Sequence, residues 1–223
     1  MLRDIDLNEV SDGKLYGLND MARTDCNGCK DCCSCCTGMG SSIVLDPLDI
    51  HRLTCGLQKT FEELLDRSIE LNAADGIILP NLKMTEREDM CVFLADGRCS
   101  IHDIRPGFCR IFPLGRFYEN HSFRYFLQIH ECPMPGKSKV KIRKWIDTPD
   151  IKRYEQYIID WHYYLKDLHE YAMDFSHGDN IQKLSMYILQ QFYLRPFDGS
   201  RDFYQEFYER LAAARADNSG RQE

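Results

Sequence analysis

Six cysteines stand within eleven residues in the segment Cys26-Asn27-Gly28-Cys29-Lys30-Asp31-Cys32-Cys33-Ser34-Cys35-Cys36. The chain of 223 residues contains 11 cysteines, and all of them lie between Cys26 and Cys132. An odd number of cysteines in a chain of this length argues against a disulfide scaffold, which is typically short and secreted. Neighbouring cysteines also bridge one another poorly, because a disulfide needs Cα atoms about 4.4–6.8 Å apart with suitable Cβ directions. The segment therefore predicts a metal site.

The dense segment fits the spacing Cys-x-x-Cys-x-x-Cys-Cys in two overlapping registers. One register runs from Cys26 to Cys33, and the other runs from Cys29 to Cys36. Two residues between thiols allow a tight loop to wrap a metal while backbone amides face the sulfurs and offset the thiolate charge. Further thiols follow at Cys91, Cys99, Cys109 and Cys132.

Composition and charge exclude several classes of protein. The chain is 43% hydrophobic and 28% charged, which is ordinary for a globular protein and argues against disorder. Its formal net charge of −7 argues against nucleic acid as a partner. Because no run of about 18 apolar residues occurs, we expect no membrane span. The charged start, Met1 to Asp6, lacks the apolar stretch of a secretory signal, so we expect a cytoplasmic protein.

Caps and breaks predict an α+β fold, with a cysteine-rich metal-binding core of short strands and loops and a C-terminal helical layer. Asp46-Pro47 predicts a helix through Leu53, because aspartate caps helices and proline suits the first helical position. Thr60-Phe61-Glu62-Glu63 is a capping box for a second helix to about Leu71. Residues 77–82 are expected to be extended. Cys55 follows the first helix and is interpreted as a small buried hydrophobe.

Two β-hairpins are predicted after these elements. Their polar tips are Ala95-Asp96-Gly97 and Glu119-Asn120-His121, each between apolar segments. Cys91 and Cys99 flank the first tip, so its two strands are expected to bring these thiols together.

The last part of the chain is predicted to be helical. Apolar residues, many of them aromatic, recur in steps of three and four between Ile151 and Ala172, which is the spacing of one helix face. This stripe is interpreted as packing against the other helices, or against a second copy of the chain in a homodimer. The basic stretch 137–144 is interpreted as a solvated linker. We divide the chain into an N-terminal arm (1–25), a metal-binding region (26–136), a helical region (137–216) and a polar tail (217–223).

Two blocks of residues carry a family resemblance. The first is Cys29-x-x-Cys32-x-x-Cys35-Cys36, followed by an apolar strand and the cap at Asp46-Pro47. The second contains Cys91-Val92-Phe93-Leu94, Gly97-Arg98-Cys99-Ser100-Ile101-His102, Arg105-Pro106, Cys109-Arg110, Phe112-Pro113 and Cys132-Pro133. Together they resemble the YkgJ-like cysteine cluster family, also known as the CxxCxxCC zinc- or iron-chelating domain. The resemblance covers roughly residues 26–136 and favours the register that begins at Cys29.

The resemblance implies a set of metal ligands and an activity. The cysteines at family positions, which we predict to bind metal, are Cys29, Cys32, Cys35, Cys36, Cys91, Cys99, Cys109 and Cys132. Cys26 and Cys33 are additional to the family pattern. They either replace some of these metal ligands or bind metal in addition to them. The family includes the flagellin lysine N-methylase, so the resemblance also implies an S-adenosylmethionine-dependent group transfer to a protein lysine.

The spacing favours iron over zinc. Structural zinc usually draws two close pairs of ligands from two knuckles, whereas the four later thiols form no such pair. Three thiols at steps of three, with remote Cys132 standing before Pro133, fit a cubic iron–sulfur cluster better. We therefore predict one or two four-iron (4Fe-4S) clusters, with zinc as the alternative.

Charged and ring side chains accompany the second cysteine block. Arg105 and Arg110 flank Cys109, and are interpreted either as cofactor-binding groups that neutralise the thiolate–metal charge or as partners of acidic residues. His102 and His130 are interpreted either as histidines whose hydrogen bonds are made within the fold or as metal ligands in place of a cysteine.

Three functions are compatible with these patterns. They are an iron–sulfur protein supporting group transfer, a zinc-organised scaffold, and an electron-transfer or redox-sensing protein. A substrate, whether protein or small molecule, and the catalytic residues are not identified by the sequence.

Overall fold

The computed structural model describes residues 6–25, 32–174 and 178–219. Helices and small antiparallel sheets share these residues, which confirms the α+β class. Cys26 and Cys29 lie outside the described residues. No helix in the described ranges is long and apolar enough to cross a bilayer.

The elements follow one another in a mixed order. The elements before the cysteine segment are α1 (Leu7–Val10), β1 (Ser11–Tyr16) and β2 (Met21–Asp25). The elements that follow it are α2 (Pro47–Leu57), α3 (Phe61–Arg67), β3 (Ile69–Ala74) and β4 (Ile77–Leu82). The middle of the chain contains β5 (Leu94–Ala95), β6 (Arg98–Cys99), α4 (Gly107–Ile111), β7 (Leu114–Glu119), β8 (Ser122–Gln128), β9 (Ser138–Lys141) and α5 (Ile142–Ile146). The last helices are α6 (Ile151–Asp174), α7 (Gly178–Leu189), which continues as a π-helix over Gln190–Leu194, and α8 (Phe203–Ser219).

The predicted cap of α2 is confirmed. Asp46 accepts a hydrogen bond from the backbone N–H of Asp49 at 2.9 Å, and Asp49 accepts one from the N–H of Asp46 at 3.3 Å. This reciprocal capping box fixes the start of the helix. The helix continues beyond the expected end at Leu53 to Leu57.

The interpretation of Cys55 as a buried hydrophobe is wrong. Because α2 is longer than expected, Cys55 lies within the helix, and its side chain is exposed. Leu53 faces the core, and a residue two positions further on points to the opposite side of a helix. The Cys55 sulfur lies 3.7 Å from Nδ1 of His51, one turn earlier.

The second helix starts as predicted and ends early. Thr60 and Glu63 form the expected capping box, but α3 stops at Arg67 instead of about Leu71. Residues Ile69–Ala74 form β3, which pairs in full register with β4 around the turn at Asp75-Gly76. Both turn residues have positive φ, as a tight two-residue hairpin requires. Strand pairing therefore overrides the local helical tendency, while the extended segment 77–82 is confirmed.

Three further sheets organise the rest of the first half. The strands β1, β8 and β7 form an antiparallel sheet in that order. The hairpins β5–β6 and β7–β8 turn at the predicted tips, although β5 and β6 contain only two residues each. β2 pairs with β9, so the N-terminal residues contribute strands to two sheets.

The C-terminal helices bury their aromatic stripe within the chain. Trp161 contacts the ring of Phe192 at 4.9 Å between centroids, and Tyr157 contacts Phe207 at 4.6 Å. Tyr157 also accepts a hydrogen bond from the N–H of Leu48 at 3.0 Å, which ties α6 to α2. The layer therefore packs on the cysteine-rich half. A homodimer through these helices stays a prediction.

Candidate metal centre

A short backbone pairing places the first cysteine block beside Cys91. A 3-10 turn covers Ser34–Cys36, and the carbonyl of Cys36 accepts the N–H of Cys91 at 2.7 Å. An antiparallel bridge between Thr37 and Met90 continues this pairing. Two segments that are 55 positions apart in the sequence are thus held side by side.

The β5–β6 hairpin brings Cys99 to the same place. Leu94 of β5 pairs with Cys99 of β6, and its N–H donates to the carbonyl of Cys91 at 2.9 Å. Cys36 forms side-chain hydrogen bonds with both Cys35 and Cys99, and the sulfurs of Cys35 and Cys36 are 3.9 Å apart. The predicted approach of Cys91 and Cys99 is consistent with this geometry.

Helix α4 carries Cys109 and is positioned by two other helices. The N–H of Gly107, at the start of α4, donates to the buried Asp49 carboxyl of α2 at 2.8 Å. A Cβ at Gly107 would overlap the hydroxyl of Tyr154 in α6, so a side chain does not fit there. The environment of Cys109 raises its pKa, first through burial and then through the charges of Cys35, Asp49, Cys91 and Cys99.

The five thiols differ in how readily they ionise. Hydrogen bonding from Cys36 lowers the pKa of Cys35, and lowers that of Cys99 to about 6. The same two hydrogen bonds raise the pKa of Cys36. Burial raises the pKa of Cys91 and of Cys109. The pKa values of Cys35 and Cys99 are therefore the lowered ones in this group, and a thiolate is the form that binds metal.

Two other predicted ligands stand apart from this group. The sulfur of Cys32 lies 3.5 Å from the Ser34 hydroxyl, and Cys132 is buried with its carbonyl accepting Lys137 Nζ at 2.7 Å. Neither sulfur hydrogen-bonds to a cysteine that the structure describes. Within residues 6–25, 32–174 and 178–219, no three His, Cys, Asp or Glu side chains are grouped closely enough to hold an ion. The ligand set of eight cysteines stays a prediction.

The two arginines have different surroundings. The charge of Arg105 lowers the pKa of both Cys35 and Cys99, after the larger effect of the hydrogen bonds from Cys36. Its Nη1 also donates to the His102 carbonyl at 3.0 Å. Arg105 is thus placed to offset thiolate charge, and binding of a cofactor by Arg105 stays a prediction.

Arg110 hydrogen-bonds to the backbone of two neighbouring segments. It is buried and donates to the carbonyls of Asp103, Arg105 and Asp147, which joins the loop before α4 to the end of α5. Its hydrogen bonds place this arginine in a positioning role beside Cys109, and binding of a cofactor by Arg110 stays a prediction.

An open pocket of about 330 Å³ borders Cys99, which is the one cysteine in its lining. It lies between the end of α2 and residues 98–104, and Cys99 and His102 are part of its wall. His102 is half-buried, and burial lowers its pKa. The Cys99 edge of the centre is therefore the side that a small molecule can approach.

Asp49 is a positioning residue that the sequence did not reveal. It is 2% exposed, and burial, followed by the charge of Asp46, raises its pKa from 3.8 to about 8. Its capping role was readable from the local pattern. The contact with Gly107 joins residues 58 positions apart, and no local signal predicts it.

Replacing Asp49 by asparagine is expected to change how stability depends on pH. Native Asp49 keeps its proton up to about pH 8, whereas the unfolded carboxyl releases it near 3.8. Its contribution is fully present below pH 3.8 and is lost as the pH rises through about 8. Asp49→Asn keeps an acceptor for the Gly107 N–H but cannot titrate. The free energy of unfolding of the variant should therefore fall less steeply with rising pH than that of the unmodified protein, by up to about 1.4 kcal/mol per pH unit. Urea unfolding of both proteins at several pH values measures it, and parallel curves would refute the role of Asp49.

Arg105→Gln is expected to raise the pKa of the Cys99 thiol in the metal-free protein. The variant removes the positive charge that favours the thiolate and keeps a hydrogen-bonding side chain. Alkylation of Cys99 by iodoacetamide, followed over pH by mass spectrometry, should shift its midpoint upward by about half a unit to one unit. Arg98→Gln, an exposed neighbour, is the matched control. Equal midpoints in all three proteins would show that Arg105 does not act on this thiol.

Comparison with known proteins identifies the domain that carries these cysteines. Residues 25–133 match the family model CxxCxxCC, described as "Putative zinc- or iron-chelating domain". The match spans both cysteine blocks and ends at Pro133, which confirms the resemblance inferred from the motifs. The searches of curated proteins and of solved structures gave no match.

Proposed function

We propose, on the premise that residues 25–133 are a chelating domain of the CxxCxxCC family, that this domain binds a four-iron iron–sulfur cluster through cysteine thiolates. The match of residues 25–133 to the family model supports the binding of zinc or iron by this region. The identity of the metal is the step that we add. We also propose that the protein acts in the cytoplasm, where clustered thiols stay reduced.

The observation that carries the proposal is the backbone pairing of Cys36 with Cys91, at 2.7 Å, beside the β5–β6 hairpin that carries Cys99. Cys35 and Cys36 come from one turn, and Cys91, Cys99 and Cys109 come from three other places in the chain. A structural zinc ion takes four ligands, and these segments together offer five candidate thiols, more than one ion needs. Iron–sulfur clusters are held by cysteine thiolates and tolerate remote ligands.

The electrostatics of the site suit a thiolate-bound group. Hydrogen bonding from Cys36 lowers the pKa of both Cys35 and Cys99, and Arg105 adds a positive charge beside them. The protein groups would bind the cluster, offset its charge and, on the buried side at Cys91, exclude water. When bound, a four-iron cluster supplies reversible one-electron chemistry.

One distance favours zinc as a second candidate. The Cys35 and Cys36 sulfurs are 3.9 Å apart. Zinc–sulfur bonds of about 2.3 Å in a tetrahedron place sulfurs about 3.8 Å apart. The vicinal pair therefore fits one zinc ion without movement, whereas a cluster requires the two side chains to reach different irons.

Optical and magnetic spectroscopy distinguishes the two metals. Protein purified without oxygen is expected to be brown, with broad charge-transfer absorption across the visible range and a paramagnetic signal after reduction. Colourless protein containing stoichiometric zinc would replace the iron proposal with the zinc scaffold.

Methyl transfer from S-adenosylmethionine is a prediction that rests on the family resemblance alone. Calorimetric titration of S-adenosylmethionine into the metal-loaded chain tests it, and the absence of saturable binding would remove it. An electron-transfer or redox-sensing role would then be favoured by a reversible potential without turnover.

A further inference from the structure

The two strands β2 and β9, which we call the β2–β9 ribbon, have one inward and one outward face. Ala22 and Thr24 of β2 are fully buried, so alternate positions point outward. The antiparallel register pairs Met21 with Lys141 and Arg23 with Lys139. These four outward residues are all exposed.

The outward face is positively charged without compensation. Arg23, Lys139 and Lys141 form no ion pair in the described part of the chain, whereas Arg153 and Arg201 on other surfaces are paired with acidic side chains. Exposed Lys144 on α5 follows closely after the ribbon. A cluster of one sign stands out in a chain whose net charge is −7.

The register makes this cluster costly for the free protein. Arg23 lies directly opposite Lys139, and like charges in directly opposed positions destabilise a strand pair. Neutralisation by an acidic ligand would relieve the repulsion.

The ribbon also offers an unpaired backbone. β9 pairs with β2 alone among the strands that the structure describes, so its other edge is open to an additional strand. An extended peptide can add to such an edge through main-chain hydrogen bonds. Met21, which is 49% exposed, provides an apolar contact on the same face.

We propose that the β2–β9 ribbon docks an acidic, extended segment of a partner protein. The basic face matches acidic side chains, and the open edge of β9 matches a polypeptide backbone. Nucleic acid matches only the charge and would be repelled by the rest of an acidic chain. β2 ends at Asp25, directly before Cys26, and β9 begins six residues after Cys132. The acidic segment of the partner would therefore dock where the cysteine-rich region begins and ends. This docking is independent of which metal the domain binds.

Fluorescence anisotropy with labelled peptides tests the docking on the full chain. The probe is a ten-residue peptide of alternating Glu and Thr. We expect saturable binding that weakens about tenfold when sodium chloride is raised from about 0.05 to about 0.3 M. Lys139→Glu/Lys141→Glu should weaken it by about tenfold or more, because two attractions become repulsions. Lys59→Glu/Lys152→Glu, which makes the same change in net charge at exposed sites elsewhere, should bind as the unmodified protein does.

Two further probes test the kind of partner. A peptide of alternating Glu and Pro has the same charge but lacks alternate backbone N–H groups, and it should bind about fivefold more weakly if the β9 edge is used. Circular dichroism confirms that both double variants are folded. Absence of binding by the Glu-Thr peptide, equal binding by both double variants, or equal binding of both peptides would overturn the proposal. Tighter, ribbon-dependent binding of single-stranded DNA or of phosphatidylserine vesicles would also overturn it.

Discussion

Replacing Cys99 by serine is expected to lower the metal content of the purified protein by about tenfold or more. The pKa of Cys99 is lowered to about 6, chiefly because its sulfur is hydrogen-bonded to Cys36. Serine keeps the size of the side chain but does not provide a thiolate ligand at neutral pH. Removing an outer-shell group costs about 10–100-fold in metal affinity, so loss of a ligand should cost at least as much.

Cys55→Ser is the matched control for this experiment. Cys55 is exposed on α2, and serine there should leave the metal content unchanged. Cys109→Ser extends the test to helix α4 and should also lose metal. Elemental analysis of the three variants, prepared in parallel without oxygen, measures the effect. Equal metal loss from Cys55→Ser and Cys99→Ser would show that the ligand assignment is wrong.

Removing the metal under reducing conditions is expected to destabilise the cysteine-rich half strongly. Thiolate metal sites contribute on the order of 10 kcal/mol to folding where zinc peptides have been measured. This is similar to the whole stability of a typical domain, about 5–15 kcal/mol. The elements around the site are short, since β5 and β6 have two residues each and α4 has five. Their convergence should therefore depend on the ion.

The two tryptophans of the chain show which part of the fold loses stability when the metal is removed. Trp145 donates its indole N–H to the carbonyl of Phe112, immediately after α4, at 3.1 Å. Trp161 lies in the aromatic core of the helical layer. In single-tryptophan variants (Trp161→Phe and Trp145→Phe), chelation should change the Trp145 fluorescence and its urea midpoint more than those of Trp161. Unchanged midpoints for both would mean that the metal does not organise the fold.

The sequence predicted best the features that depend on neighbouring residues. Both capping boxes were readable because the cap and its partner are three residues apart. The hairpin tips were readable from turn residues that tolerate positive φ, such as Asp96-Gly97. The cysteine spacing indicated that thiols from distant segments bind one metal centre. The thiols concerned are those of the dense segment and Cys91, Cys99, Cys109 and Cys132.

Features that depend on distant pairing were missed. The end of α3 was placed too late because β3 is held by β4, although Asp75-Gly76 was an available hairpin signal. The exposure of Cys55 followed from the true length of α2. The contact of Asp49 with Gly107, and the fit of Gly107 against Tyr154, join three elements that no local pattern connects.

The most direct test of the account is the metal and thiol content of protein isolated entirely without oxygen. Iron, zinc, acid-labile sulfide and free thiols are measured per chain on one preparation. The account predicts iron and sulfide in equal amounts, about four of each per cluster, with cysteines reduced and protected from alkylation until the metal is removed. Protein with neither iron nor zinc, whose cysteines are freely alkylated or joined as disulfides, would contradict it.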